Sequence, residues 1–320
     1  MSLAIDEPLN FQAGPVAFLD RGAPFVVGAV DPWRRAYAWG AMLVASQLPN
    51  ILVSLGGWQS TTAASLLQIL IIVVLAVIAD RSPRLRSLTG FLLTLAILRL
   101  GWYTLARIAE NSDPIHHFVT SLSWGGQVFA ARALNTIGGL LVLTTFIGRR
   151  LTRQDLFLSV GDLTALAQPE PPLWLRRPMS WIMLGPLMLV VFGVALPMFL
   201  YFSLHPDFAK MSSLWIFLPW ILATSVLNAA NEEFQFRCVP LAHLRGALPA
   251  REAVWLTAIF FGIGHFFGQP SGWIGVGMAS IAGWIWGKSM VETRGVVWAF
   301  GIHMVQDVVI LCFLALTLKN

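Results

Sequence analysis

Long apolar runs separated by short polar segments make up most of the chain after residue 35. A membrane-spanning helix needs about 20 predominantly apolar residues, and the runs predict up to nine such helices. They lie near residues 36–56, 60–79, 89–108, 132–147, 179–203, 215–242, 253–268, 272–288 and 295–317. The fourth run and the two between 253 and 288 are short, so eight or nine spans are predicted. The pattern indicates an all-α, polytopic integral membrane protein.

Composition supports this class and excludes a soluble domain. The 320 residues are 57% hydrophobic and only 12% charged, with a mean hydropathy of +0.71, whereas soluble domains carry about 25% charged residues. The net charge of +5 comes mostly from arginines in short loops, which favours lipid headgroups as the partner and not nucleic acid. Two cysteines, Cys238 and Cys312, provide neither a disulfide framework nor metal-site spacing.

Basic residues alternate from one interhelical loop to the next. The arginine-rich loops contain Arg34, Arg35, Arg81, Arg84, Arg86, Arg149, Arg150, Arg153, Arg176, Arg177, Arg245, Arg251, Lys288 and Arg294. The arginine-poor loops are those near residues 56–60, 110–113, 207–210 and 268–272. The positive-inside rule places the arginine-rich loops and the N-terminus in the cytoplasm. With nine spans, the C-terminus lies on the opposite side.

One polar segment, residues 148–178, divides the chain. A cytoplasmic segment 1–35 and transmembrane helices 36–147 precede it, and residues 179–317 form the second set of helices. Within the segment, apolar residues on both sides of Gly161-Asp162 predict a small hairpin.

Ionisable residues concentrate in the second set of helices, where charge is costly. A charged side chain at the centre of a membrane helix costs about 2.5–3.5 kcal/mol on translocon scales. The residues concerned are Glu232, Glu233, Arg237, His265, His303 and Asp307. A chain that retains so many there is expected to use them.

The first motif is Glu232-Glu233-x-x-x-Arg237. Residues four apart share a helix face, so Glu233 and Arg237 are predicted to form an ion pair. Glu232 points about 100° away and is left as a candidate general base or acid. The alternative is that both glutamates lie at the cytoplasmic end of the helix among headgroups.

Two further motifs follow on separate helices. Phe261-x-x-x-His265 places one histidine in an apolar run, where a packed structural histidine is the commoner explanation. His303-x-x-x-Asp307 places an imidazole and a carboxylate on one helix face, which by itself fits a local pair as well as a site. At 1.5 Å per residue, the three motifs lie at similar depths, which favours a shared site.

The three motifs, in this order, resemble those of the CPBP (ABI) family of intramembrane proteases, which includes the type II CAAX prenyl endopeptidases. The resemblance covers about residues 180–317. Two positions depart from the common pattern: Asp307 stands where Asn is frequent, and Cys238 where a small residue such as Gly is frequent.

The resemblance implies an intramembrane endopeptidase that acts on a membrane-associated peptide or protein, with a site open to the cytosol or laterally to lipid. A bacterial inner membrane is the expected location. It implies that Glu232 activates water and that His265 helps to hold this water or a metal. His303 and Asp307 would complete the site or stabilise the oxyanion, and Glu233 and Arg237 would position Glu232. Two histidines with Glu232 would suit a divalent metal such as zinc, although a metal-free water site is equally compatible.

Two other classes of function remain open. One is a non-catalytic membrane scaffold, such as a bacteriocin-immunity or sorting protein, that retains the motifs. The other is a transporter or haem-binding electron carrier that uses His265 and His303. The second class leaves the Glu-Glu-x-x-x-Arg motif unexplained.

Overall fold

The computed structural model describes residues 24–58, 61–147 and 152–318. The α-helices of these residues are α1 (Pro32–Ala45), α2 (Leu48–Leu55), α3 (Thr62–Arg81), α4 (Thr89–Leu100), α5 (Ala106–Glu110), α6 (Asp113–Thr120), α7 (Trp124–Leu134), α8 (Thr136–Val142), α9 (Trp181–Leu204), α10 (Leu214–Glu233), α11 (Val239–Leu244), α12 (Ala250–Gly264), α13 (Gly272–Thr293) and α14 (Val297–Leu316). Two π-helical turns, Gly101–Leu105 and Phe234–Cys238, join α4 to α5 and α10 to α11.

The predicted all-α polytopic class is confirmed. Within the part of the chain that the structure describes, six helical segments are long and apolar enough to cross a membrane, or seven if the bent pair α1–α2 counts as one span. The six are Thr62–Arg81, Arg86–Glu110, Trp124–Phe146, Trp181–Leu204, Phe208–Leu244 and Val297–Leu316. This is fewer than the eight or nine predicted. The difference lies at 253–268 and 272–288: α12 has only 15 residues, and α13 is not among the segments that qualify.

Strands in the described part of the chain are confined to one short pair. β1 (Leu166–Ala167) pairs antiparallel with β2 (Met179–Ser180), so the predicted hairpin centred on Gly161-Asp162 is wrong. Gly161 instead adopts a positive φ of 73°, and the amide of Asp162 donates to the carbonyl of Thr293 over 2.7 Å. The segment therefore folds over the turn between α13 and α14.

The arginine-rich loops gather at one end of the helix bundle. Arg34 Nε donates to the carbonyl of Arg84 over 2.9 Å, and Arg35 pairs with Glu252 over 2.9 Å. At the other end, Lys210 Nζ donates to the carbonyl of Leu318 over 2.6 Å. The grouping of loops by charge is thus the grouping found in space, while the side of the membrane to which each group belongs stays a prediction.

Close packing of α12 against α13, and of α10 and α13 against α14, brings the three motifs together. Gly262 allows the first contact, because a Cβ at this position would collide with Ser280 and lie 2.7 Å from the carbonyl oxygen of Val276. Gly283 leaves room for a guanidinium, since a Cβ there would lie 2.7 Å from Arg237 Nη2.

Candidate active site

Glu233 is the centre of a buried charge cluster. Its Oε1 atom accepts hydrogen bonds from Arg237 Nη1 over 2.8 Å and from His303 Nδ1 over 2.7 Å. The three side chains are at most 3% exposed. The predicted Glu233–Arg237 ion pair is confirmed, and it extends to His303 on α14. Such a shared acceptor fixes two helices relative to one another.

Aromatic rings surround the guanidinium of Arg237. Its central carbon lies 4.0 Å from the ring centroid of Phe261 and 4.6 Å from that of Trp286. Cation–π contacts of this kind partly compensate a buried positive charge. Arg237 lies in the π-helical turn after Glu233, and π-helical turns are frequent at functional sites.

His303 is held in one orientation. Its ring stacks on Trp286 with centroids 4.1 Å apart and planes 10° apart. Because a carboxylate oxygen only accepts, the contact with Glu233 requires a proton on Nδ1. In the neutral imidazole, Nε2 is then an acceptor. Nε2 lies 3.5 Å from Glu232 Oε2 and 3.7 Å from Asp307 Oδ1, which are distances suited to contact through a water molecule.

Asp307 and Glu232 complete the group of side chains around His303 Nε2. Asn228 Nδ2 donates to Asp307 Oδ2 over 2.9 Å and so fixes the carboxylate. Glu232 Oε1 lies 4.0 Å from Arg132 Nη1. Glu232 and Glu233 are 5% and 1% exposed, so the alternative that both lie among headgroups is contradicted by their burial.

His265 lies at the C-terminal end of α12 and lines the same cavity as Glu232. Its Nδ1 atom lies 3.1 Å from the carbonyl oxygen of Phe261. A carbonyl oxygen only accepts, so Nδ1 carries the proton and Nε2 is again an acceptor. The structure therefore places His265 on the wall of the site, packed against the ring of Phe261.

The predicted metal ligands fit a metal only in part. An Nδ1–H that donates to a carboxylate or carbonyl is usual for metal-ligating histidines, and both His265 and His303 show it. Among the described residues, however, no three His, Cys, Asp or Glu side chains converge as a metal site would require. The zinc ligands His265, His303 and Glu232 therefore stay a prediction.

A cavity of about 1470 Å³ adjoins the cluster. Glu232, His265, His303 and Asp307 all line it, so the structure brings these predicted site residues to one surface. Glu233 and Arg237 are buried behind it. Helices from the first half of the chain supply much of the opposite wall, including Tyr103 and Arg132.

Four residues near the cluster were missed by the sequence analysis. Asn228 lies four residues before Glu232, so the rule of shared helix faces would have found it. Arg132 is a charged residue at the edge of a predicted span, which is itself a signal of function. Tyr103 and Trp286 are aromatic residues in apolar helices and carry no such signal.

Comparison with known families locates the same part of the chain. Residues 214–309 match the family model described as Type II CAAX prenyl endopeptidase Rce1-like. This segment contains all three motifs and the cluster around His303. Comparison with curated proteins and comparison with solved structures each gave no match. Over residues 214–309, the chain is therefore similar to the Rce1-like family, which is consistent with a CPBP family intramembrane protease.

Proposed function

We propose that the protein is an intramembrane endopeptidase in which Glu232 activates the water that attacks a peptide bond. One observation carries the proposal. Glu232, His303 Nε2 and Asp307 face one another at 3.5 and 3.7 Å on the wall of a large cavity. A water molecule in contact with these acceptors would lie beside a carboxylate that can take its proton.

In the proposed reaction, Glu232 removes a proton from water as the oxygen attacks the carbonyl carbon. His303 Nε2 accepts a hydrogen bond from the second O–H group of this water and so directs its lone pair towards the substrate. Asp307 lies beside the imidazole, 3.7 Å from Nε2, and completes the polar wall of the site. A general base of this kind contributes about 10²–10⁴-fold to the rate. The proton then passes from Glu232 to the leaving amine, which completes the hydrolysis.

The oxyanion of the tetrahedral intermediate needs hydrogen-bond donors. Neutral His265 and His303 offer only acceptors at Nε2, so we assign this role to Arg132 and Tyr103. Arg132 approaches Glu232 to 4.0 Å. The hydroxyl of Tyr103 would lie 3.0 Å from a Cβ placed at Gly264, next to His265. Both residues line the cavity.

Glu233 and Arg237 act through His303 and not on the substrate. The hydrogen bond from His303 Nδ1 to Glu233 sets the tautomer, and Glu233 is held in place by its ion pair with Arg237 over 2.8 Å. Both are therefore positioning residues.

The proposed substrate is a peptide bond in a membrane-associated peptide or protein. Several helices expose large apolar side chains, such as Leu66, Leu70 and Val74 on α3. Membrane lipids are the proposed partners of these surfaces. Prenylated substrates belong to the description of the matched family. For this chain, the proposal extends to membrane-anchored peptides in general.

The proposal is tested by incubating purified protein in lipid vesicles with a panel of membrane-anchored peptides. We expect wild-type protein to cleave at least one peptide and Glu232→Gln to reduce this rate at least 100-fold. Asp113→Asn, which neutralises an exposed carboxylate on α6, serves as the matched control and should cleave like wild type. Full activity of Glu232→Gln would refute the assignment.

The scaffold alternative makes a different prediction. A scaffold that uses the cluster only for stability would retain its cellular phenotype in Glu232→Gln. An endopeptidase would lose the phenotype while the variant protein remains folded and at normal abundance in the membrane. Complementation of a deletion strain with each variant, with protein abundance measured by immunoblot, separates the two.

A further inference from the structure

We propose that the first half of the chain forms part of the active site, and that Gln235 is the residue that fixes it there. Gln235 holds the backbone of Asn135, and this contact sets the position of Arg132 next to Glu232. The effect on catalysis rests on the proposed function, whereas the contact between the two halves of the chain is independent of it.

Arg132 comes from outside the segment that the family model matches. It lies on α7, whereas the match covers residues 214–309. Its Nη1 atom lies 4.0 Å from Glu232 Oε1, and its side chain is 42% exposed. No hydrogen bond to another described residue holds its guanidinium. The position of this charge therefore depends on where the backbone of α7 lies.

Gln235 connects the end of α7 to the helix that carries Glu232. Its Nε2 atom donates to the backbone carbonyl of Asn135 over 3.1 Å and to Asn231 Oδ1 over 2.5 Å. Asn135 follows Arg132 by three residues, and Asn231 directly precedes Glu232. The two hydrogen bonds thus join backbone positions within one helical turn of the two facing side chains.

This connection is shielded from water. Gln235 is 0% exposed and Asn231 is 8% exposed. A carbonyl oxygen only accepts, so the contact with Asn135 fixes which side of the Gln235 amide faces α7. Gln235 belongs to the π-helical turn Phe234–Cys238, and such turns are frequent at functional sites.

Two glycines of α8 allow the halves to approach this closely. A Cβ at Gly138 would collide with Gln235 Oε1, and a Cβ at Gly139 would lie 2.9 Å from Asn231 Oδ1. Gln235 Oε1 has no hydrogen-bond donor among the described residues, so it is packed against Gly138 without a polar partner. Any larger residue at these positions would push α8 away from the turn that carries Gln235.

The same junction reaches Tyr103, the second proposed donor from the first half. Gly101 packs on Gly138 so closely that a Cβ at Gly101 would lie 2.5 Å from the α carbon of Gly138. Trp102 stands edge-on to Phe236, with ring centroids 5.1 Å apart. Gly101, Trp102 and Tyr103 are consecutive in one π-helical turn, so the contacts of the first two set the place of the third.

Gln235 acts on the reaction without touching the substrate. Arg132, Asn135 and Glu232 line the cavity, and Gln235 is buried behind them. A misplacement of about 1 Å can lower a catalytic rate about 10²-fold, and loss of the Gln235 contact releases the end of α7. Gln235 is therefore a positioning residue.

Kinetics of Gln235→Leu test this role, because Leu removes the donor and retains a buried side chain. Gln127→Leu is the matched control, since Gln127 Nε2 also donates to a backbone carbonyl, that of Leu122, over 2.8 Å near the start of α7. We expect Gln235→Leu to lower kcat for an anchored peptide at least about tenfold with KM changed by less than about twofold. Gln127→Leu should match wild type.

A double-mutant cycle shows whether Gln235 acts through Arg132. In an Arg132→Gln background, Gln235→Leu should lower kcat by less than about twofold, because the group that it positions is already absent. A general loss of stability would instead lower kcat by the same factor in both backgrounds. Equal factors would overturn the assignment of Gln235 as a positioning residue for Arg132.

Spin-label distances test the contact between the halves without catalysis. In a Cys312→Ser background, labels are placed at Leu140→Cys on α8 and Val226→Cys on α10, both exposed positions. Cys238 is buried and stays unlabelled. Double electron–electron resonance in lipid vesicles should show a shifted or broadened distance distribution for Gln235→Leu, and a wild-type distribution for Gln127→Leu.

Gly138→Ala disturbs the same contact from the opposite side and covers the case in which Gln235→Leu fails to fold. Its control is Gly193→Ala, whose new Cβ meets no atom within 4 Å. Unchanged distributions in Gln235→Leu and Gly138→Ala would overturn the inference, whether or not the protein cleaves a peptide. A changed distribution in a protein that cleaves no peptide would support the contact and contradict the proposed function alone.

Discussion

Replacement of Glu233 by glutamine should separate its role from that of its neighbour Glu232. In wild-type protein, Glu233 Oε1 accepts one hydrogen bond from Arg237 and one from His303, at 2.8 and 2.7 Å. The amide oxygen of Gln can still accept, but it no longer compensates the charge of Arg237, which is 0% exposed. Loss of one partner of a buried ion pair costs about 3–5 kcal/mol.

Glu232→Gln should, by contrast, leave the stability nearly unchanged and strongly reduce cleavage. The nearest polar partners of Glu232 are His303 Nε2 at 3.5 Å and Arg132 Nη1 at 4.0 Å, and neither makes a short hydrogen bond with it, so the amide loses little. Neutralising a partly uncompensated buried carboxylate is often neutral or stabilising. We expect a change in unfolding free energy within about 1 kcal/mol, together with a fall in cleavage of at least about 100-fold.

Thermal unfolding in detergent, followed by tryptophan fluorescence, measures the difference. A loss of about 3–5 kcal/mol should lower the Tm of Glu233→Gln by roughly 10 °C, while the Tm of Glu232→Gln stays near wild type. The double variant Glu233→Gln/Arg237→Met should recover part of the loss, because no buried charge remains unpaired. Equal Tm values for the two single variants would refute this reasoning.

Three further predictions follow from the geometry. Gly262→Val should lower the Tm by forcing α12 and α13 apart. Gly301→Ala, with no atom within 4 Å of its new Cβ, should leave the Tm unchanged or slightly higher. An equal fall in Tm for both variants would argue against close packing at Gly262. Arg132→Gln should reduce kcat about 10²-fold if it stabilises the oxyanion, with Arg132→Lys losing less, and a change confined to KM would contradict that role. Chelation with 1,10-phenanthroline should leave cleavage intact, because the described residues do not offer three converging ligands; activity that is lost and then restored by Zn²⁺ would establish the predicted zinc site.

Much of the site could be predicted from the sequence, because several of its residue pairs are close neighbours on one helix. The pair Glu233–Arg237 and the pair His303–Asp307 are each separated by four residues, so helix periodicity alone places each pair on one face. The cost of charge in the membrane then marks all six residues as exceptional. The grouping of loops by charge was recoverable for the same reason, since it depends on composition and order alone.

The remaining features depend on contacts between distant segments. Nothing in the sequence places His303 Nδ1 against Glu233 or stacks its ring on Trp286, because these contacts are set by how α10, α13 and α14 pack. The sequence analysis predicted too many spans, because the apolar runs in α12 and α13 resemble membrane-spanning helices in the sequence. The cavity was also out of reach of the sequence, because its wall combines helices from both halves of the chain.

Hydrolysis in H₂¹⁸O tests the central claim most directly. Wild-type protein and Glu232→Gln, each in lipid vesicles, are incubated with an anchored peptide panel, and the released fragments are examined by mass spectrometry. The account predicts wild-type fragments with one ¹⁸O atom in the new carboxyl group and at least 100-fold less product from Glu232→Gln. Products formed at equal rates by both proteins, or wild-type products without ¹⁸O, would contradict it.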